Sequence, residues 1–100
     1  MEGENTVLYP IFLDLSGRRC VVVGGGTVAA RKIRKLLQAG AEVVVVSPEV
    51  RPDLESMDLE IRRRAYEYGD LESADLAFTA TDSREVNAAV AGEAKRRGVL

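Results

Sequence analysis

Three consecutive glycines, Gly24-Gly25-Gly26, stand between an unbroken apolar run, Cys20-Val21-Val22-Val23, and an amphipathic segment from Thr27 to Gln38. That junction constrains the fold more than any other feature of the chain. A β-branched run without polar alternation fits a strand covered on both faces, as in a parallel sheet. In the segment after the glycines, Ala29, Ile33, Leu36 and Leu37 form one helical stripe, while Arg31, Lys32, Arg34, Lys35 and Gln38 fall largely off it, which predicts a surface helix facing a core. Gly40 follows as a C′ residue. A second unbroken run, Val43-Val44-Val45-Val46, then predicts another buried parallel strand, ending at Ser47-Pro48. Strand, glycine loop, helix and strand make one β-α-β unit.

The remainder supports an α/β, Rossmann-like doubly wound parallel sheet. Residues 1–8 read as a flexible lead-in to a domain over 9–100, and Tyr9-Pro10-Ile11-Phe12-Leu13-Asp14-Leu15 is apolar enough to dock on it. Ser16 to Arg19 is a turn. Residues Glu49 to Asp58 hold a short helix or a loop. Leu59-Glu60-Ile61 alternates and runs into Arg62-Arg63-Arg64, as an exposed strand near a sheet edge does. Gly69-Asp70-Leu71 is expected to turn into a short helical segment. Leu76 to Ala80 is a third apolar strand. Asp82 or Ser83 caps a final helix through about Arg97, with Val86, Ala89, Val90 and Ala94 as its buried stripe. Gly98 stops it, and Val99-Leu100 reads as the first step of a further strand. The domain is therefore expected to be incomplete on its C-terminal side.

Composition excludes several functions. The chain lacks His, so it cannot build an imidazole triad or a His-ligated metal site. Its single cysteine, Cys20, opens an apolar run and reads as a buried structural thiol; no metal site is expected. With 14 basic and 16 acidic residues the net charge is −2, which gives no support to nucleic-acid binding. The acidic start lacks the pattern of a signal peptide, and no stretch approaches the roughly 20 apolar residues of a membrane span, so a cytoplasmic protein is expected.

The glycine loop carries the chemistry. Gly24 to Ala29 reads G-x-G-x-x-A, directly between strand and helix. Gly24 permits a sharp exit from the strand, Gly26 lets a pyrophosphate approach the backbone, and Ala29 lets the helix pack close to the sheet. The first amides of the helix, with its dipole, favour the phosphate charge, and Thr27 adds a hydroxyl. Three glycines in a row carry an entropic cost that a plain turn does not require. An NAD site usually ends its second strand with Asp or Glu, but Ser47 stands there, followed by Pro48 and Glu49. Glu49 comes 23 residues after Gly26, near the usual spacing, so either Glu49 or Ser47 is placed to hold the ribose. No Arg occupies Ser47 or Pro48 to meet a 2′-phosphate, and Arg51 lies further on, which points to NAD rather than NADP.

Pro10-Ile11-Phe12-Leu13-Asp14-Leu15, Gly24 to Lys32, Ala39-Gly40-Ala41 and Ala80-Thr81-Asp82 occur in an order that resembles the N-terminal domain of the siroheme synthase family. The resemblance covers about residues 9–100. It implies NAD-dependent oxidation of precorrin-2, a reduced tetrapyrrole, to sirohydrochlorin. In many members it also implies ferrochelatase activity with Fe2+ as co-substrate, and a homodimer. It further implies that Thr27 and Val28, next to the cofactor-binding loop Gly24, Gly25 and Gly26, meet the cofactor phosphates and that Ser47, Pro48 and Glu49 meet its adenosine half. Thr79, Ala80 and Thr81 end the third strand beside the cofactor. Arg31 and Lys32, in the matched motif, are candidates for the substrate carboxylates. The family's catalytic aspartate follows the strand that would begin at Val99-Leu100, so no catalytic residue is assigned among these 100. Two other readings suit the scaffold alone: an NAD(H)-sensing regulatory domain, and an S-adenosylmethionine site. Both usually keep an acid where Ser47 stands.

Overall fold

A computed structural model describes residues 10–100. The lead-in 1–8 and Tyr9 lie outside the described residues. The elements are β1 (Arg19–Val23), α1 (Thr27–Gln38), β2 (Glu42–Val46), a 3-10 turn (Pro52–Ser56), β3 (Glu60–Arg62), β4 (Leu76–Thr79) and α2 (Arg84–Arg97). The four strands form one parallel sheet in the order β3-β2-β1-β4. From β1 the chain steps outward to β2 and β3, then returns to the other side of β1. The order therefore reverses between β1 and β4, which is where such sheets open a crevice.

Both continuous valine runs are covered on two faces, as expected. Cys20, Val22, Val43 and Val45 pack against Ala29, Ala30, Ile33 and Leu36 of α1 and against Leu54 of the 3-10 turn. Val21, Val23, Val44 and Val46 pack on the other face against Leu71 and against Val90 of α2. Cys20 is fully buried, and burial, with the Asp75 charge second, pushes its thiol pKa up, which leaves it inert. Gly40, at φ +83°, ends α1 with Schellman-type bonds: its amide donates to Leu37 O and that of Ala41 to Leu36 O. Gly98, at φ +69°, ends α2 in the same way. Leu100 lies beside β4, its carbonyl accepting from the Ala77 amide at 3.0 Å. Among the described residues no helix is long and apolar enough to cross a membrane.

Three expectations are corrected and one alternative is resolved. The segment Ile11-Phe12-Leu13 does not dock, since all three side chains are exposed and only Leu15 packs on the α1 side. Both faces of β1 and β2 are already covered there. The helical segment at Gly69-Asp70-Leu71 is instead a run of turns over residues 68–73. Gly69 at φ +106° and Ser73 at φ +67° cannot continue a right-handed helix. Of the two cap candidates, Asp82 and Ser83, the structure selects Ser83, whose hydroxyl accepts from the Val86 amide at 3.2 Å. On α2, Ala89 is exposed and Glu93 is buried in its stead.

Two buried carboxylates replace the missing helix. Asp70 accepts from Arg64 at 2.6 and 2.9 Å, from Arg62 at 3.2 Å and from the Glu67 amide at 2.8 Å. Glu93, with no exposed surface, accepts from the Tyr66 hydroxyl, from Arg97 at 2.6 Å, and from the amides of Gly69 and Leu71 at 3.0 and 3.3 Å. Burial alone would raise both carboxyl pKa values. The hydrogen bonds, led by Arg64 for Asp70 and by Tyr66 and Arg97 for Glu93, outweigh it and hold both below the usual range.

A carboxyl whose folded pKa is lowered stabilises the fold above its unfolded pKa and ceases to do so as pH falls through the folded value. We therefore expect the urea midpoint to stay level from pH 7 to about 5 and to drop below about pH 4.3. Glu93→Gln should lower stability at pH 7 by about 1–3 kcal/mol and flatten that acid drop. A variant with an unchanged urea midpoint and acid slope would show that Glu93 does not pin the loop.

Candidate functional site

The three glycines have three different surroundings. Gly24 leaves β1 at φ +135°, and a Cβ there would stand 2.5 Å from the Ala80 carbonyl oxygen. A Cβ on Gly25 would collide with the Glu49 carbonyl. Main-chain bonds explain both approaches: Gly24 N–H donates to Val46 O, Ala80 N–H to Val23 O and Arg51 N–H to Gly25 O, at 2.9–3.0 Å. Gly26 differs, because nothing lies within 4 Å of where its Cβ would be. It is the N-cap of α1, in extended backbone conformation, and no side chain caps this helix or places an acid in its first turn.

These loops enclose a cleft of about 760 Å³ at the carboxyl ends of β1, β2 and β4. Of the residues named from the sequence, Gly24, Gly25, Gly26, Val28, Ser47, Pro48, Glu49, Ala80 and Thr81 line it. Thr27 stands at its rim, where its Oγ1 accepts from Arg51 Nη1 at 2.9 Å. Thr79 does not line the cleft and stands in a separate depression with Ala77, Asn87 and Val90. Arg31 and Lys32 are on the exposed side of α1 and do not line the cleft. Lys32 Nζ sits 5.8 Å from the centre of the Phe78 ring.

Several side chains are already oriented. The Ser47 hydroxyl donates to Glu49 O at 2.8 Å, which fixes the turn after β2 and leaves its lone pairs to accept. The Thr81 hydroxyl donates to Asn87 Oδ1 at 3.0 Å and accepts from the Ser83 amide at 3.1 Å. Cleft residues not foreseen include Arg51, Tyr66 and Asp82. Tyr66 is held by Glu93, and burial, with Glu93 second, pushes its phenol pKa well up, so it stays neutral. Arg51 is the one basic residue among the described lining residues; Glu49 and Asp82 are the acidic ones. No local signal announced Tyr66, because its anchor lies 27 residues away.

A strand order that reverses over a cleft, fed by a glycine loop and an uncapped helix start, is the architecture of a Rossmann-like nucleotide-binding domain. Residues 11–100 match a family described as "Putative NAD(P)-binding". The chain belongs to that family. It is 48% identical over 96 residues to the siroheme synthase of Chromobacterium violaceum, covering 92% of this chain and 20% of that protein. The siroheme synthase of Methylobacillus flagellatus is 47% identical over 94 residues, covering 90% of this chain and 20% of that protein. A solved structure, "SirC, precorrin-2 dehydrogenase", superposes with a TM-score of 0.77 at 36% identity, over 81% of this chain and 43% of that one. The chain thus spans about a fifth of the length of these siroheme synthases. The likeness drawn from the glycine loop and its companion segments is borne out.

The three surroundings predict three tolerances. Gly24→Ala combines an unfavourable φ with overlap against Ala80 and should cost about 2–5 kcal/mol. Gly26→Ser should lie within about 0.5 kcal/mol of the parent, since serine is a good N-cap and meets open space. Chemical denaturation of both variants checks the contrast. Equal losses at the two positions would contradict it.

Proposed function

We propose that this chain is the NAD-binding part of a precorrin-2 dehydrogenase, a cytoplasmic enzyme that oxidises precorrin-2 to sirohydrochlorin. The observation that carries the reading is the open space at Gly26, facing a cleft at the start of an uncapped helix. The donor set fits a dinucleotide: main-chain amides at a helix start, a glycine with no side chain to block them, and a cleft wide enough for an extended ligand. When bound, NAD supplies the hydride acceptor.

The chain's own residues bind and orient. The amides around Gly26, Thr27 and Val28 hold the diphosphate, with Gly24 and Gly25 shaping the loop. Ser47, Pro48 and Glu49 border the adenosine half, where Ser47 accepts and Glu49 accepts from ribose hydroxyls. Ala80 and Thr81 flank the cofactor's other half, with Thr79 contributing through the backbone of β4. Arg31 and Lys32 are offered to substrate carboxylates that extend beyond the cleft along α1, where guanidinium and ammonium groups bind them well. For the whole protein, iron(II) is a second substrate and a homodimer is the assembly.

Binding of NAD or NADH at millimolar concentration should raise the unfolding temperature of the chain by several degrees. Gly26→Asp should abolish that rise, because a carboxylate would occupy the phosphate position. The same substitution should leave the unliganded unfolding temperature level or slightly higher, aspartate being at least as good an N-cap as glycine. A Gly26→Asp protein that binds NADH with the parent's affinity in calorimetry would show that the phosphate site lies elsewhere.

A further inference from the structure

Read along the chain, Arg51 stands four residues beyond Ser47 and out of reach of a ligand at the end of β2. The fold places it elsewhere. Its amide is bonded to Gly25 O at 2.9 Å, which draws the whole residue back against the glycine loop. Its Nη1 donates to Thr27 Oγ1, on the first residue of α1, at 2.9 Å. Its Nε and Nη2 donate to the two carboxylate oxygens of Asp53 at 3.1 and 3.3 Å. The guanidinium is thereby clamped at the rim of the cleft with its side chain 43% exposed.

The clamp does not cancel the charge, because Asp53 is shared with Arg34, whose Nη2 donates to it at 2.7 Å. Two guanidinium groups and one carboxylate leave a net +1 beside the positive end of α1, whose first turn holds no acid. The acids of the cleft, Glu49 and Asp82, make no side-chain hydrogen bond or ion pair to Arg51 among the described residues. Three of the five guanidinium N–H groups are used, so two remain to donate. A fixed fork with spare donors, beside a helix start, matches a phosphate.

We propose that Arg51 is a phosphate-binding residue of the cleft. The inference rests on the reading of the cleft as a dinucleotide site. Its position allows two sources for the same chemistry: the diphosphate bridge, next to Thr27, or a 2′-phosphate on the adenosine ribose, next to the loop after β2. Either way the guanidinium donates to a non-bridging phosphate oxygen; at the 2′-phosphate it also sets whether NADPH competes with NADH.

The test is calorimetric titration of the chain with NADH and with NADPH, for the parent, Arg51→Gln and Arg51→Lys, with each variant's unfolding temperature as the fold control. A loss of about tenfold or more for both ligands in Arg51→Gln, partly restored in Arg51→Lys, assigns Arg51 to the diphosphate. A loss of that size for NADPH with NADH unchanged assigns it to the 2′-phosphate. A folded Arg51→Gln protein that binds both ligands as the parent does overturns the inference while leaving the dinucleotide reading intact. A folded parent that binds neither ligand overturns the dinucleotide reading, and the role of Arg51 with it.

Discussion

Two backbone carbonyls, those of Ala80 and Glu49, lie so close to the glycine loop that neither Gly24 nor Gly25 has room for a side chain. The rest of the carboxyl edge depends on this approach. It lets the exits of β1, β2 and β4 be joined by main-chain bonds between Gly24 and Val46, Ala80 and Val23, and Arg51 and Gly25. A cleft whose walls are set by backbone is shaped before any guest arrives. A guest then loses less free energy to ordering the protein. The same constraint carries Arg51 to the start of α1, since its amide is one end of the bond to Gly25.

On the other face the chain from Arg63 to Ala74 has no helix or strand, yet its backbone must still be satisfied. Asp70 and Glu93 divide that work. Asp70 accepts from the Glu67 amide and from two arginines, and so closes the loop on itself. Glu93 accepts from two loop amides and from Tyr66, and so ties the loop to α2. Burying a carboxylate is costly, and here the cost is offset because each has several donors, including at least one guanidinium. Tyr66 connects this pin to the cleft, since its hydroxyl is on Glu93 and its ring is on the cleft wall.

The sheet and both long helices were legible because their signals are local. Unbroken valine runs report two covered faces, a stripe at helical spacing reports one buried face, and glycine reports a positive φ at Gly40 and Gly98. What escaped was non-local. Glu93 looks like a solvent residue until the Gly69 and Leu71 amides, more than 20 residues away, supply its partners. Ala89 reads as a core residue for the converse reason, since an alanine at the margin of a stripe carries too little surface to decide the rotation of the helix. Gly69-Asp70-Leu71 has a helix-start pattern, but Asp70 spends its carboxylate on the loop instead of on a cap. In the cleft, the glycine loop and the Ser47-Pro48-Glu49 turn could be read from spacing, whereas Arg51 could not, because the bond that returns it to Gly25 involves only backbone.

The two helices of this chain make an internal comparison. α2 starts with a serine cap on the Val86 amide and an acid, Glu85, in its first turn, and so meets the usual requirement that a helix start be supplied with acceptors. α1, of similar length and better packed, has glycine at its cap, no acid in its first turn, and a guanidinium at its first residue. Forgoing a capping side chain costs a few tenths of a kcal/mol when glycine takes the place, and a nearby cation adds to the cost. Those costs fall on a helix start that opens into the cleft. A negatively charged ligand placed there would supply the missing acceptors and balance the cation together, whereas a serine cap would supply one acceptor, leave the cation unbalanced and fill the space that Gly26 leaves free.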